Sequence, residues 1–150
     1  MNEKTTKHIL ENFKTIAIVG LSRNPKKSSH QVAKYLQSKN YNIIPVNPNA
    51  KEILGKKAYK NLLEIQEPIE IIDIFRPSEQ VLSIVQEAIQ LKEQEKTPKV
   101  IWMQLDITNQ KAANLAKKAG LIVVMNKCIM KEHKKLHHKK ILHKHPIHIK

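Results

Sequence analysis

Five short apolar runs, each followed by polar turn residues, constrain the fold of this 150-residue chain more than any other feature. They are residues 15–20 (TIAIVG), 42–47 (NIIPVN), 69–75 (IEIIDIF), 99–104 (KVIWMQ) and 121–125 (LIVVM). Their β-branched residues run almost without interruption instead of alternating with polar ones, which predicts strands buried on both faces. Pro45 offers no backbone donor and places the second run at a sheet edge or at its own end. Between the runs the apolar residues change to helical spacing, as in Val32, Ala33, Tyr35 and Leu36, in Val81, Ile84, Val85 and Ala88, and in Ala112, Leu115, Ala116 and Ala119. Ser28 or Ser29 and Thr108 are the expected caps, with Asn40 and Gly120 as stop signals. Residues 57–65 suggest a further short helix. Strands alternating with helices require right-handed crossovers. The predicted class is therefore α/β, a doubly wound Rossmann-like parallel five-stranded sheet in a single domain.

In such a sheet ligands lie beyond the carboxyl ends of the strands, where strand order reverses. That directs attention to residues 20–29, 47–48, 75–77, 104–108 and 126–128. The first turn combines a close backbone approach at Gly20, the hydroxyls of Ser22, Ser28 and Ser29, and a helix start whose dipole and free N–H groups favour phosphate. Arg23, Lys26 and Lys27 add positive charge. The same residues also suit a solvated loop with an ordinary helix cap.

Two absences narrow the ligand. After Gly20 the chain reads LSRNP, without the later glycines of the dinucleotide fingerprint, and the second strand ends in Asn47 and Pro48 instead of the acid that grips a ribose 2′-hydroxyl. NAD is disfavoured, and the missing Gly-Lys-Ser/Thr removes support for a P-loop. Cations without that acid suit a nucleotide with an additional phosphate, such as coenzyme A or NADP.

The other strand ends are less decisive. Arg76, one of only two arginines, can stack on a base or fork onto a phosphate, or pair with Glu79. Trp102 reads more readily as core than as a stacking platform. Gln104 and Asp106 face the expected crevice, and Asp106 lacks a partnered nucleophile. Cys128 follows the fifth strand, where Lys127 or His133 can activate a thiolate, although packed unpaired cysteines are commoner. His30 falls inside the first predicted helix as a structural or solvated residue.

The net charge of +14 is unevenly placed. From residue 126 onward eight lysines face one acid, Glu132, so half the excess lies in a short C-terminal segment. Residues 131–150 also hold six of the eight histidines, at 133, 137, 138, 143, 145 and 148. His133 and His137 are one helical turn apart, but the zinc-protease order is not met. We read residues 1–130 as the nucleotide-binding domain and 131–150 as a basic, solvated extension, partly helical near Leu136, able to touch anionic surfaces without specificity. The lone Cys128 and the lack of a secretory pattern or membrane-length apolar run give the expectation of a cytoplasmic protein.

Residues 18–22 (IVGLS) with Pro25 and Ser28, then 44–48 (IPVNP), 73–76 (DIFR), 102–105 (WMQL) and 124–128 (VMNKC) together resemble the small bacterial CoA-binding proteins, freestanding relatives of the CoA-binding domain of the succinyl-CoA synthetase α subunit. The resemblance spans about residues 13–137 and rests on five motifs in order, each at a strand end. It implies a Rossmann-type domain binding coenzyme A. Gly20, Ser22, Arg23, Pro25 and Ser28 would hold phosphates, supported by Lys27. Asn47 and Pro48 would flank the adenosine, and Phe75 with Arg76 would border the adenine or diphosphate. Trp102, Gln104, Asn126 and Cys128 match further family positions. Leu21 stands where alanine is usual, so it is expected to narrow the pocket, and Asn126 stands where aspartate is common. Because the synthetases keep their phosphohistidine and nucleotide-grasp machinery in other domains, the resemblance implies binding of coenzyme A or an acyl-CoA with no catalysis. The alternatives are a small NADP-dependent oxidoreductase, weakened by the missing fingerprint, and a nucleic-acid binder working through the lysine tail. Specific nucleic-acid recognition is not expected, since the core lacks an RNA-binding aromatic signature.

Overall fold

The computed structural model describes residues 3–95 and 97–144, with side chains as far as His138. In chain order it contains α1 (Glu3–Asn12), β1 (Thr15–Val19), α2 (Ser28–Ser38), β2 (Asn42–Val46), a small hairpin of β3 (Glu52–Ile53) and β4 (Lys56–Lys57), β5 (Ile71–Ile74), α3 (Val81–Glu93), β6 (Val100–Met103), α4 (Gln110–Lys118), β7 (Ile122–Val124) and α5 (Ile129–Lys144). Single 3-10 turns occupy Leu62–Glu64 and Ser78–Gln80.

All five principal strands are parallel, in the order β2-β1-β5-β6-β7. This is a doubly wound sheet whose order reverses between β1 and β5, as the alternation of strands and helices predicted. Pro45 sits on the edge strand opposite Ile18, where its missing N–H faces no partner strand, and its carbonyl accepts from the Tyr59 N–H at 3.0 Å.

The pleat divides the strand residues between two apolar layers. Ile44, Val46, Ile72, Ile74, Ile101 and Met103 face α3 and α4, whose Val85, Ala88, Ala112 and Ala116 are fully buried. Ile16, Ile18, Ile43, Ile71, Val100 and Trp102 face α1, α2 and α5, with Ile9, Ala33, Leu36 and Ile129 buried against them. Each such side chain contributes about 1.5–3 kcal/mol on burial, which fixes the strand register.

Several local expectations are corrected. Residues 57–65 form the end of the hairpin and one 3-10 turn, not a helix. Lys27, not a serine, is the N-cap of α2 and makes no side-chain cap bond. Asn109, not Thr108, caps α4 by accepting the Ala112 N–H at 2.9 Å. The basic tail begins as the body of α5, where Ile129 and Glu132 are buried and Leu136 packs on the core. The histidines at 145 and 148 lie outside the described residues.

Candidate functional site

The sheet brings Gly20, after β1, against residues 75–76, after β5, at the reversal of strand order. Gly20 has φ +90°, and a Cβ there would lie 2.7 Å from the Phe75 carbonyl oxygen and 2.8 Å from Arg76 Cδ. Only glycine meets both conditions. The chain can then turn sharply while its backbone stays open at the strand end.

The turn from Gly20 to α2 is braced from within. The Ser22 N–H donates to Ser29 Oγ at 3.0 Å, and the Asn24 N–H donates to Ser22 Oγ at 3.0 Å. His30 Nδ1 lies 2.8 Å from the Ser22 carbonyl, and since a carbonyl only accepts, that nitrogen carries the proton. Asn47 Nδ2 donates to the Leu21 carbonyl at 2.9 Å, tying the turn to the end of β2. In these bonds the hydroxyls of Ser22 and Ser29 act as acceptors, which leaves their O–H groups able to donate. The first turn of α2, uncapped by Lys27 and flanked by exposed Lys26 and Lys27, keeps its N–H groups and the exposed Ser28 available to an anion.

Two clefts open on either side of this turn. The first, about 440 Å³, has Gly20, Ser22, Asn47 and Pro48 on one wall and Asn61, Ser83 and Glu87 on the other, with Val19, Val46, Leu62 and Ile84 supplying apolar surface. Burial raises the Glu87 carboxyl above the ordinary range, opposed by a hydrogen bond from the Leu62 backbone. The second, about 570 Å³, lies between Ser28 and Val32 of α2, Phe75, Gln104, and Cys128 with Lys131 at the start of α5. Both volumes fall within the range of small-molecule sites, about 300–1,000 Å³. Arg76 lines both clefts. Its Nε donates to Gln80 at 3.0 Å instead of pairing with Glu79, which fixes the stem and leaves the outer guanidinium donors exposed.

Of the sequence-nominated residues, Gly20, Ser22, Asn47, Pro48 and Arg76 meet at the first cleft, and Ser28, Phe75, Arg76, Gln104 and Cys128 at the second. Arg23, Pro25 and Lys27 are exposed on the turn and line neither. Two nominations are corrected. The Leu21 side chain is fully buried among Val32, Leu36 and the strands, so it cannot narrow a pocket. Trp102 is likewise fully buried, its Nε1 donating to the Lys127 carbonyl at 2.8 Å, so it anchors the loop that presents Cys128. Asn126, at φ 63°, accepts the Asp106 N–H at 2.7 Å and braces two strand-end loops instead of lining a cleft. Gln104 is 4% exposed and its Oε1 accepts the Ile129 N–H at 3.1 Å, fixing the start of α5.

Sequence reasoning missed Asn61, Ser83 and Glu87. Asn61 had a signal, since its side chain caps the 3-10 turn by accepting the Glu64 N–H at 3.2 Å. Ser83 and Glu87 stand four residues apart on α3, a spacing that places them on one helix face.

Comparison with known proteins agrees with this geometry. Residues 14–134 match the family described as CoA binding domain. The Bacillus subtilis (strain 168) protein YneT is 42% identical over 127 residues, covering 85% of this chain and 90% of that protein. An ADP-forming acetate–CoA ligase of Methanocaldococcus jannaschii is 34% identical over 74 residues, covering 49% of this chain but only 10% of the ligase. The crystal structure of a redesigned protein, PH1109 redesigned for binding, superposes with TM-score 0.84 at 39% identity, covering 91% of this chain and 92% of that one. With the family match covering every strand of the principal sheet and both walls of the strand-end crevice, this chain belongs to the CoA binding domain family.

Proposed function

We propose that the protein binds coenzyme A, or an acyl-CoA, across the two clefts and performs no chemistry on it. The observation that carries this reading is the position of Arg76, which stands on both clefts beside the uncapped start of α2. Phosphates of one extended ligand can lie at the guanidinium and the helix N-terminus while its ends diverge to either side. In this arrangement the first cleft holds the adenosine, flanked by Asn47 and Pro48 and faced by Asn61 and Glu87. The second takes the pantetheine arm, whose thiol end approaches Cys128.

The binding reading is supported by the ligase comparison, in which a span like this one is a small part of a larger enzyme. The span shared with the Methanocaldococcus jannaschii ligase is 10% of that enzyme. Isothermal titration with coenzyme A, NADP and NAD tests the ligand, with coenzyme A expected to bind and NAD not. Binding of NADP without coenzyme A overturns the assignment. Acyl-CoA synthesis or hydrolysis by the pure protein overturns the statement about chemistry.

A further inference from the structure

We propose that the outward face of α5 is a docking surface for the phosphodiester backbone of double-stranded nucleic acid, engaged without regard to base sequence. The helix lies on the body of the protein through Ile129, Glu132 and Leu136 and turns Lys131, Lys134, Lys135 and His138 to solvent. The sequence adds Lys139, Lys140 and Lys144 to the same helix. Its single acid, Glu132, is 7% exposed and pairs with Lys135 Nζ at 3.2 Å, and no other ion pair from this face occurs among the described residues.

Cations three and four residues apart on a helix repel one another and weaken it. Here Lys131 stands so placed to both Lys134 and Lys135. The neighbouring helix enlarges the patch, because Lys39 follows α2 and lies 5.6 Å from the ring centroid of Tyr35, which Lys134 also approaches, at 5.2 Å. A surface that accumulates like charge against its own stability gains it back when a polyanion releases its counterions there.

The chemistry of the face selects among polyanions. α5 has lysines and no arginine, which gives point charges for phosphate and no fork for reading guanine. A helix lying in a membrane interface buries an outward apolar face, whereas among the described residues of α5 Ile129 and Leu136 pack on the core. Single strands are gripped by exposed aromatic platforms, whereas the aromatic of this patch, Tyr35, is half-buried, with Lys39 and Lys134 over its ring and its hydroxyl 2.6 Å from His133 Nδ1. A duplex backbone remains.

The test is fluorescence anisotropy of labelled random-sequence DNA and RNA duplexes, a single strand, and phosphatidylserine vesicles with the full chain, in salt from about 50 to 200 mM. Duplex binding should weaken steeply with salt, and the triple variant K134Q/K139Q/K140Q should bind at least ten-fold more weakly with a log–log slope shallower by about 2–3. Coenzyme A titration of the same variant, together with circular dichroism, establishes that it is folded. Absence of duplex binding at low salt, tighter binding of single strand or vesicles than of duplex, or an unaltered triple variant overturns the proposal. If the variant fails to fold, a wild-type slope flatter than about −2 overturns it and a steeper one supports it.

Discussion

Gly20 and Phe75 approach so closely that a single added methyl on the glycine would stand 2.7 Å from the phenylalanine carbonyl oxygen. The obstacle is backbone, which cannot rotate away as a side chain would. The positive φ of Gly20 adds its own cost for any other residue, about 1 kcal/mol or more. Gly20→Ala is therefore expected to lower the urea unfolding free energy by about 1–3 kcal/mol and to weaken coenzyme A at least ten-fold by separating the ends of β1 and β5. Unaltered binding measured calorimetrically would show that this contact does not shape the site.

Asp73 is fully buried between Ile18 and Trp102 in the middle of the sheet, and neither carboxyl oxygen has a hydrogen-bond partner. Burial holds the group neutral, with its pKa well above the ordinary carboxyl value. Because the folded chain holds this proton more tightly than the unfolded chain, its stability falls as pH rises above the unfolded value near 4 and continues to fall until the buried group itself ionises. Asp73→Val removes the unmet polar atoms and should raise stability at pH 7 by about 1–3 kcal/mol while flattening the pH dependence. Urea melts from pH 5 to 9 check both. A variant less stable than its parent across that range would mean that the carboxyl has a favourable role.

Tyr41 ties α1 to the body of the protein through a 2.6 Å bond from its hydroxyl to the Leu10 carbonyl. Burial, then Tyr35 and Glu11, push its pKa up to about 12. Ultraviolet titration should show Tyr41 ionising late, with Tyr35 also raised by burial. Stability linked to this hydroxyl is present below about pH 10, where the unfolded tyrosine titrates, and is lost as pH rises through the folded value. Tyr41→Phe leaves the Leu10 carbonyl only the long 3.5 Å bond from Lys14 Nζ and should cost about 1–2 kcal/mol, read as faster hydrogen exchange across α1.

Cys128 is half-buried on the wall of the second cleft. If the pantetheine arm lies there, saturating coenzyme A should slow alkylation of this thiol by iodoacetamide several-fold, whereas adenosine alone should not. Equal rates with and without coenzyme A would place the arm elsewhere.

Much of this arrangement was legible in the sequence, for identifiable reasons. The strands were plain because burial on both faces writes a continuous apolar run. The same continuity concealed which way each side chain points. Leu21 therefore looked as available as Ser22, although one residue of register separates core from crevice. Glu87 and Asn61 were hidden for another reason, since they reach the first cleft from α3 and from the irregular segment before β5, which no strand-end rule addresses. Helix α1 was not anticipated because its buried face is only Thr6, Ile9 and Leu10.

The shared position of Arg76 makes the two clefts adjoining rooms with one wall. A molecule that occupies both is tethered at its centre, so each half enters its room at the high local concentration imposed by the other. Affinity then resides as much in the covalent join of the ligand as in either end. Nucleoside and pantetheine fragments, each holding the protein feebly, would together fall far short of the intact molecule, and the site would measure length and connectivity before it measured chemical detail.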